Sequence, residues 1–107
     1  MDIPVIKTEK INLTEVEIKD LNEVVYKVDD LHKQIGNIIF TKASSIEVSD
    51  LARVLHAGNE AEVNEFELAE IVHIVATNPY YKPFAQGQIV QYLNSKLKSL
   101  KEETENV

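Results

Sequence analysis

The chain contains no cysteine and no tryptophan, one methionine, and only three glycines and three prolines among 107 residues. Without cysteine there is no disulfide framework, no thiol nucleophile and no thiolate metal site. So few glycines and prolines leave little material for a turn-rich β fold and favour long helices. No glycine-rich segment is available to cradle a phosphate, and no strand–turn–helix elbow would expose a serine nucleophile. No apolar run approaches the ~20 residues that span a bilayer. Met1-Asp2-Ile3-Pro4 has neither the basic start nor the apolar stretch of a secretion signal, so a cytoplasmic chain is expected.

Positive charge is scarce as well. Between Ala43 and Tyr81 Arg53 is the single basic residue, against Glu47, Asp50, Glu60, Glu62, Glu65, Glu67 and Glu70, and the net charge is −7. A negative face repels phosphate backbones and anionic lipid, so neither nucleic acid nor membrane is the expected partner.

What is present suits one small globular domain. The apolar content of 44% can fill a single core in a chain that buries roughly 65% of its unfolded surface. From Thr14 onward the apolar residues recur at helical spacing. Thr14-Glu15-Val16-Glu17 has the hydroxyl and carboxylate of a capping box. Val16, Leu21, Val24, Val28, Leu31, Ile35, Ile38 and Ile39 fall on one arc of roughly 140° at ~100° per residue. Ser44 with Glu47 opens a second helix with the stripe Val48, Leu51 and Leu55, closed by Gly58. Asn59 with Glu62, or Asn64 with Glu67, caps a third, which carries Leu68, Ile71, Val72, Ile74 and Val75 and ends at Asn78-Pro79. Pro83 suits the first turn of a fourth, with the stripe Ile89, Val90, Leu93, Leu97 and Leu100. The expected fold is all-α: a compact bundle or orthogonal array of about four helices, roughly 14–40, 45–57, 60–77 and 84–102, with 103–107 a frayed charged tail.

Residues 1–13 form an extended arm in this reading. Ile3, Val5, Ile11 and Leu13 share one parity, the two-residue period of a strand. No second strand is expected elsewhere, so the arm either lies across the helices or pairs with the same arm of another copy, giving a homodimer.

Four constellations carry chemistry worth weighing. Ser49-Asp50-Leu51-Ala52-Arg53-Val54-Leu55-His56-Ala57-Gly58 has the outline of the first helix and turn of a helix-turn-helix reader. The helix after it, however, offers five glutamates and no lysine or arginine for phosphates or base edges. Glu70-Ile71-Val72-His73, with an echo in Asp29-Asp30-Leu31-His32, has the carboxylate–histidine spacing of di-iron bundles. Relative to Leu68, His73 lies at about 140° and Glu70 at about 200°, away from an apolar arc centred near 340°, and the completing glutamates are missing. No metal ligand set or cofactor is therefore expected. Phe66 sits at about 160°, opposite its own helix's stripe, where it would meet another surface. The loop Asn78-Pro79-Tyr80-Tyr81-Lys82-Pro83-Phe84 gathers Tyr80, Tyr81 and Phe84 between two prolines, which lower the entropy cost of presenting the rings.

No carboxylate stands alone in an apolar run where desolvation would tune it for acid–base work, and no catalytic residue or enzyme activity is expected. The reading that remains is a non-catalytic protein–protein interaction module, in the manner of small acidic adaptors, chaperones or accessory factors of mobile elements. Its candidate contact residues are Tyr80, Tyr81, Phe84 and Phe66. The alternatives are an acidic mimic, with Glu60, Glu62, Glu65, Glu67 and Glu70 filling the groove of a basic nucleic-acid-binding protein, and a carboxylate–histidine metal bundle.

Overall fold

The computed structural model describes residues 7–26, 30–78 and 83–105, with side chains to residue 101. In chain order the elements are β1 (Thr8–Ile11), a 3-10 turn (Leu13–Glu15), α1 (Leu31–Lys42), α2 (Ile46–His56), β2 (Ala61–Asn64), α3 (Glu65–Thr77) and α4 (Pro83–Glu105). The expected architecture of four packed helices is present. The helices pack as α1 on α2 and α3 on α4, with α1 also touching α3.

Local chemistry explains most boundaries. Ser45 caps α2 by accepting from the Val48 N–H, and Val48, Ala52 and Leu55 form its buried stripe. Gly58, at φ 82°, turns the chain out of the helix in the left-handed region that a side chain would resist. A full capping box opens α3: Asn64 accepts from the Glu67 N–H while the Glu67 carboxylate accepts from the Asn64 N–H. The buried faces of α3 and α4, Leu68, Ile71, Ile74 and Val75 on one and Ile89, Leu93, Leu97 and Leu100 on the other, lie within the stripes read from the sequence, of which Val72 and Val90 are only partly buried. Pro83 occupies the first turn of α4. The same helix continues through Glu105, into the stretch expected to fray, where Glu103 and Glu105 are good helix formers.

Three expectations are corrected. The first helix does not run from 14 to 40: the described residues 16–26 are not helical, and α1 begins at Leu31 behind Asp30, whose φ is 56°. Thr14 lies instead in the 3-10 turn, where Asn12 accepts from its N–H and hydroxyl. Residues 18–26 fold back as a hairpin with Lys19 bridged to Val25. Asp20 organises the turn, its carboxylate accepting from the N–H groups of Asn22 and Val24. Asp and Asn prefer such side-chain-to-backbone turns to helix interiors, and the β-branched residues on either side favour extended chain.

Secondly, a second strand does exist. Residues 60–64 were assigned to the third helix, but Ala61–Asn64 is β2 and α3 starts at Glu65. Thirdly, the arm is extended as expected, yet its strand pairs within the chain. β1 runs antiparallel to β2 with Thr8 opposite Asn64, Glu9 opposite Val63, Lys10 opposite Glu62 and Ile11 opposite Ala61. The lone-strand reason for a dimer through this arm is thereby removed. Ile11, Ala61 and Val63 are buried on the face turned to the helices, so the register is fixed by burial. Residues 1–6 of the arm lie outside the described residues.

One continuous core results, with contributions from both strands, the 3-10 turn, the hairpin residue Ile18 and all four helices. Among the described residues no polar or charged residue is buried. No helix among them is long and apolar enough to cross a membrane.

Candidate interaction surface

The hairpin is fixed to the body by a side chain of α4. Gln88 accepts from the Lys19 N–H at 2.7 Å and donates to the Lys19 carbonyl at 2.8 Å, so one amide satisfies both outward-facing backbone groups of that residue. The same amide donates to the Phe84 carbonyl at 3.2 Å. Ile18 is buried beneath, and the Tyr26 N–H donates to its carbonyl. Tyr26 meets Phe84 edge to face, with ring centroids 5.3 Å apart.

This anchored hairpin exposes apolar side chains. Leu21 is fully exposed, and Val24, Val25, Tyr26 and Phe84 are 59%, 48%, 44% and 39% exposed. Nine large apolar side chains are exposed among the described residues, and these five share the hairpin and the start of α4. Scattered exposed apolar residues are ordinary, whereas a gathered group held on an anchored backbone is not. Glu17, Asp20, Glu23 and Asp30 surround the group in sequence and are exposed.

The sequence placed Leu21 and Val24 in a buried helical stripe; the structure corrects both to the exposed hairpin. A signal for this existed. Val16 and Ile18 alternate before Asp20-Leu21-Asn22, and β-branched residues resume at Val24, which is strand–turn–strand order as well as helical spacing. Of the residues read as a contact loop, Phe84 joins this surface, while Tyr80 and Tyr81 lie outside the described residues.

Phe66 is 83% exposed at the start of α3, away from its helix's buried face as expected. It lines a groove of about 330 Å³ with Ser45, Glu47, Glu67 and Glu70. The five glutamates do not form one helical face. Glu60 precedes β2, Glu62 lies on it, and Glu65, Glu67 and Glu70 are half-buried on α3. Three of them hold the fold: Glu62 accepts from the Thr8 hydroxyl, Glu67 closes the capping box, and Glu70 accepts from the hydroxyls of Ser44 and Ser45.

His73 is exposed, and no three His, Asp or Glu side chains among the described residues gather closely enough to hold a metal ion. His32 is half-buried near Gly58, and Asp29 lies outside the described residues. The segment with the helix-turn-helix outline has β2 between its two helices, so α3 does not follow α2 across a tight turn.

A second anchoring group lies nearby on α4. The Tyr92 hydroxyl accepts from the Asn12 N–H at 3.1 Å and stands 3.3 Å from the Asn12 carbonyl, with Glu15 at 3.5 Å. Burial pushes the Tyr92 phenol above its ordinary value of 10.0, and the negative charge of Glu15 adds to the shift. Lys96 lies over the same ring at 5.8 Å and reaches Glu9 of β1 at 3.9 Å.

Comparison with known protein families, characterised proteins and solved structures finds no match for this chain.

Proposed function

We propose that this protein is a non-catalytic protein–protein interaction module that docks another protein through the hairpin and the start of α4. The observation that supports this most is the group Leu21, Val24, Val25, Tyr26 and Phe84, exposed on a hairpin whose backbone is held by Gln88. A rigid apolar surface loses little conformational freedom on binding, and aromatic anchors such as Tyr26 and Phe84 dominate the energetics of such contacts. A role as an adaptor or accessory factor in the cytoplasm fits this reading.

The acidic-mimic alternative draws less support. A mimic needs carboxylates free to meet a basic groove, and Glu62, Glu67 and Glu70 already serve the chain's own strand and helix ends. The two readings differ in salt response: a mimic's affinity collapses between about 50 and about 200 mM salt, and an apolar contact changes little.

The test is affinity purification from the native cell with mass spectrometry, comparing the parent chain with Leu21→Asp/Val24→Asp. Both side chains are exposed, so the double variant keeps its fold. The expected result is a stoichiometric partner that survives about 200 mM salt with the parent and is lost with the variant. Recovery of the same partner by both chains would remove the hairpin from the interface.

A further inference from the structure

The hairpin has two edges, and they differ at Lys19 and Val25. Lys19 and Val25 form a pair flanked by the bonds Asp20 N–H to Val24 carbonyl and Tyr26 N–H to Ile18 carbonyl. In that geometry the N–H and C=O of both Lys19 and Val25 point outward. Gln88 caps those of Lys19. Those of Val25 meet no partner among the described residues. An open strand edge is a template for another strand, and proteins usually blunt it with a charge, a proline or a cover. Here the edge carries Val24, Val25 and Tyr26.

Val25 and Tyr26 also form part of a groove of about 470 Å³. Its apolar lining comes from Leu13, Val16, Ile18 and Leu31, and its carboxylates are Glu17 and Asp30, the latter 4.0 Å from Lys33; His32 also lines it, with no lysine or arginine among the described lining residues. Asp20 and Glu23 lie at the adjoining turn. A second copy would bring the same carboxylates and another net charge of −7 to this place. Charge complementarity therefore favours a cationic partner.

We infer that the partner adds an extended segment bearing lysine or arginine as a new strand on the Val24–Tyr26 edge. In antiparallel addition one partner residue sits opposite Val25 and exchanges both hydrogen bonds with it. Alternate side chains of that segment enter the groove, where its cation faces Glu17, Asp30 being shared with Lys33. The inference rests on the interaction reading above and specifies its mode.

The probe is a phage-displayed library of random dodecapeptides panned against the full chain. The expected winners share an alternating apolar run with at least one lysine or arginine and no proline. A synthetic winner should lose about tenfold or more in affinity when the one backbone nitrogen that faces Val25 is methylated, and little when its sequence neighbours are. Val25→Pro, which removes the N–H of the edge, should weaken binding similarly while leaving the circular dichroism spectrum unchanged. No enrichment, winners without cationic residues, or winners indifferent to every N-methylation would overturn strand addition. So would light scattering that shows a dimer dissolved by Val25→Pro, because a second copy would then be the occupant. Winners that resist N-methylation but fail on Leu21→Asp/Val24→Asp would sink this mode alone and leave the interaction reading standing.

Discussion

At the scale of single residues, two positions govern how closely the elements can approach. Gly36 lies inside α1, where a side chain would ordinarily help the helix by about 1 kcal/mol. A Cβ there, however, would stand 2.8 Å from the His56 Cα and 2.9 Å from the His56 nitrogen. Backbone atoms cannot rotate aside, and forced overpacking costs about 1–3 kcal/mol. Gly36→Ala should therefore lower stability by about 1–2 kcal/mol in a denaturant melt, and an unchanged or raised midpoint would mean that α1 and α2 are not in this contact. Tyr92 is the other position. Removing its hydroxyl leaves the half-buried Asn12 N–H without its acceptor, so Tyr92→Phe should cost about 1–2 kcal/mol. Its raised phenol value also gives a pH signature. The unfolded chain releases this proton near pH 10 while the folded chain still holds it, so stability is full below that pH and falls as pH rises through the folded value. Alkaline denaturation curves of the parent should steepen above about pH 10, and those of Tyr92→Phe should be flatter.

At the scale of elements, α2, α3 and α4 were legible because caps and apolar period agree. Asn64 and Pro83 mark starts as read, whereas α2 is capped by Ser45, one residue after the Ser44 read from the sequence, and buries Ala52 where Leu51 was expected. The segment from Val16 to Tyr26 was not, because its apolar residues satisfy a helical arc and an interrupted alternation equally well. Tertiary contact decides between them: Ile18 is buried and Gln88, distant in sequence, completes the Lys19 backbone. No local pattern announces a partner on another helix. β2 is hidden for a related reason, since the five residues between Gly58 and the capping box at Asn64 read as easily as the first turn of a helix. The role of Gln88 is directly testable. Gln88→Ala should leave exchange in α1 and α2 at parental rates and quicken the amides of residues 18–26, with the Lys19 amide affected most. Equal exchange in both proteins would mean that the hairpin holds its place without the α4 amide.

At the scale of the molecule, the two faces weighed from the sequence have changed places. The sequence reads the glutamates of residues 60–70 as a continuous anionic surface, but Glu62, Glu67 and Glu70 bind the chain's own hydroxyls and amides. Of the apolar stripe read into the first helix, Leu31, Ile35, Ile38 and Ile39 are core, whereas Leu21 and Val24 are displayed on the hairpin. Of the exposed apolar residues, Phe84 is singled out in the sequence by its aromatic loop, and Phe66, in a separate groove, by its position opposite the α3 stripe. Leu21, Val24, Val25 and Tyr26 are not, because their exposure follows from a fold-back that the helical period conceals.

Hydrogen–deuterium exchange of the purified chain, alone and with its captured partner, tests this assignment most directly. Slowed exchange at residues 18–26 and at the first turn of α4, with 60–70 unchanged, is the predicted result. Slowing confined to 60–70, with the hairpin exchanging as in the free chain, would contradict it and point to the glutamates as the contact.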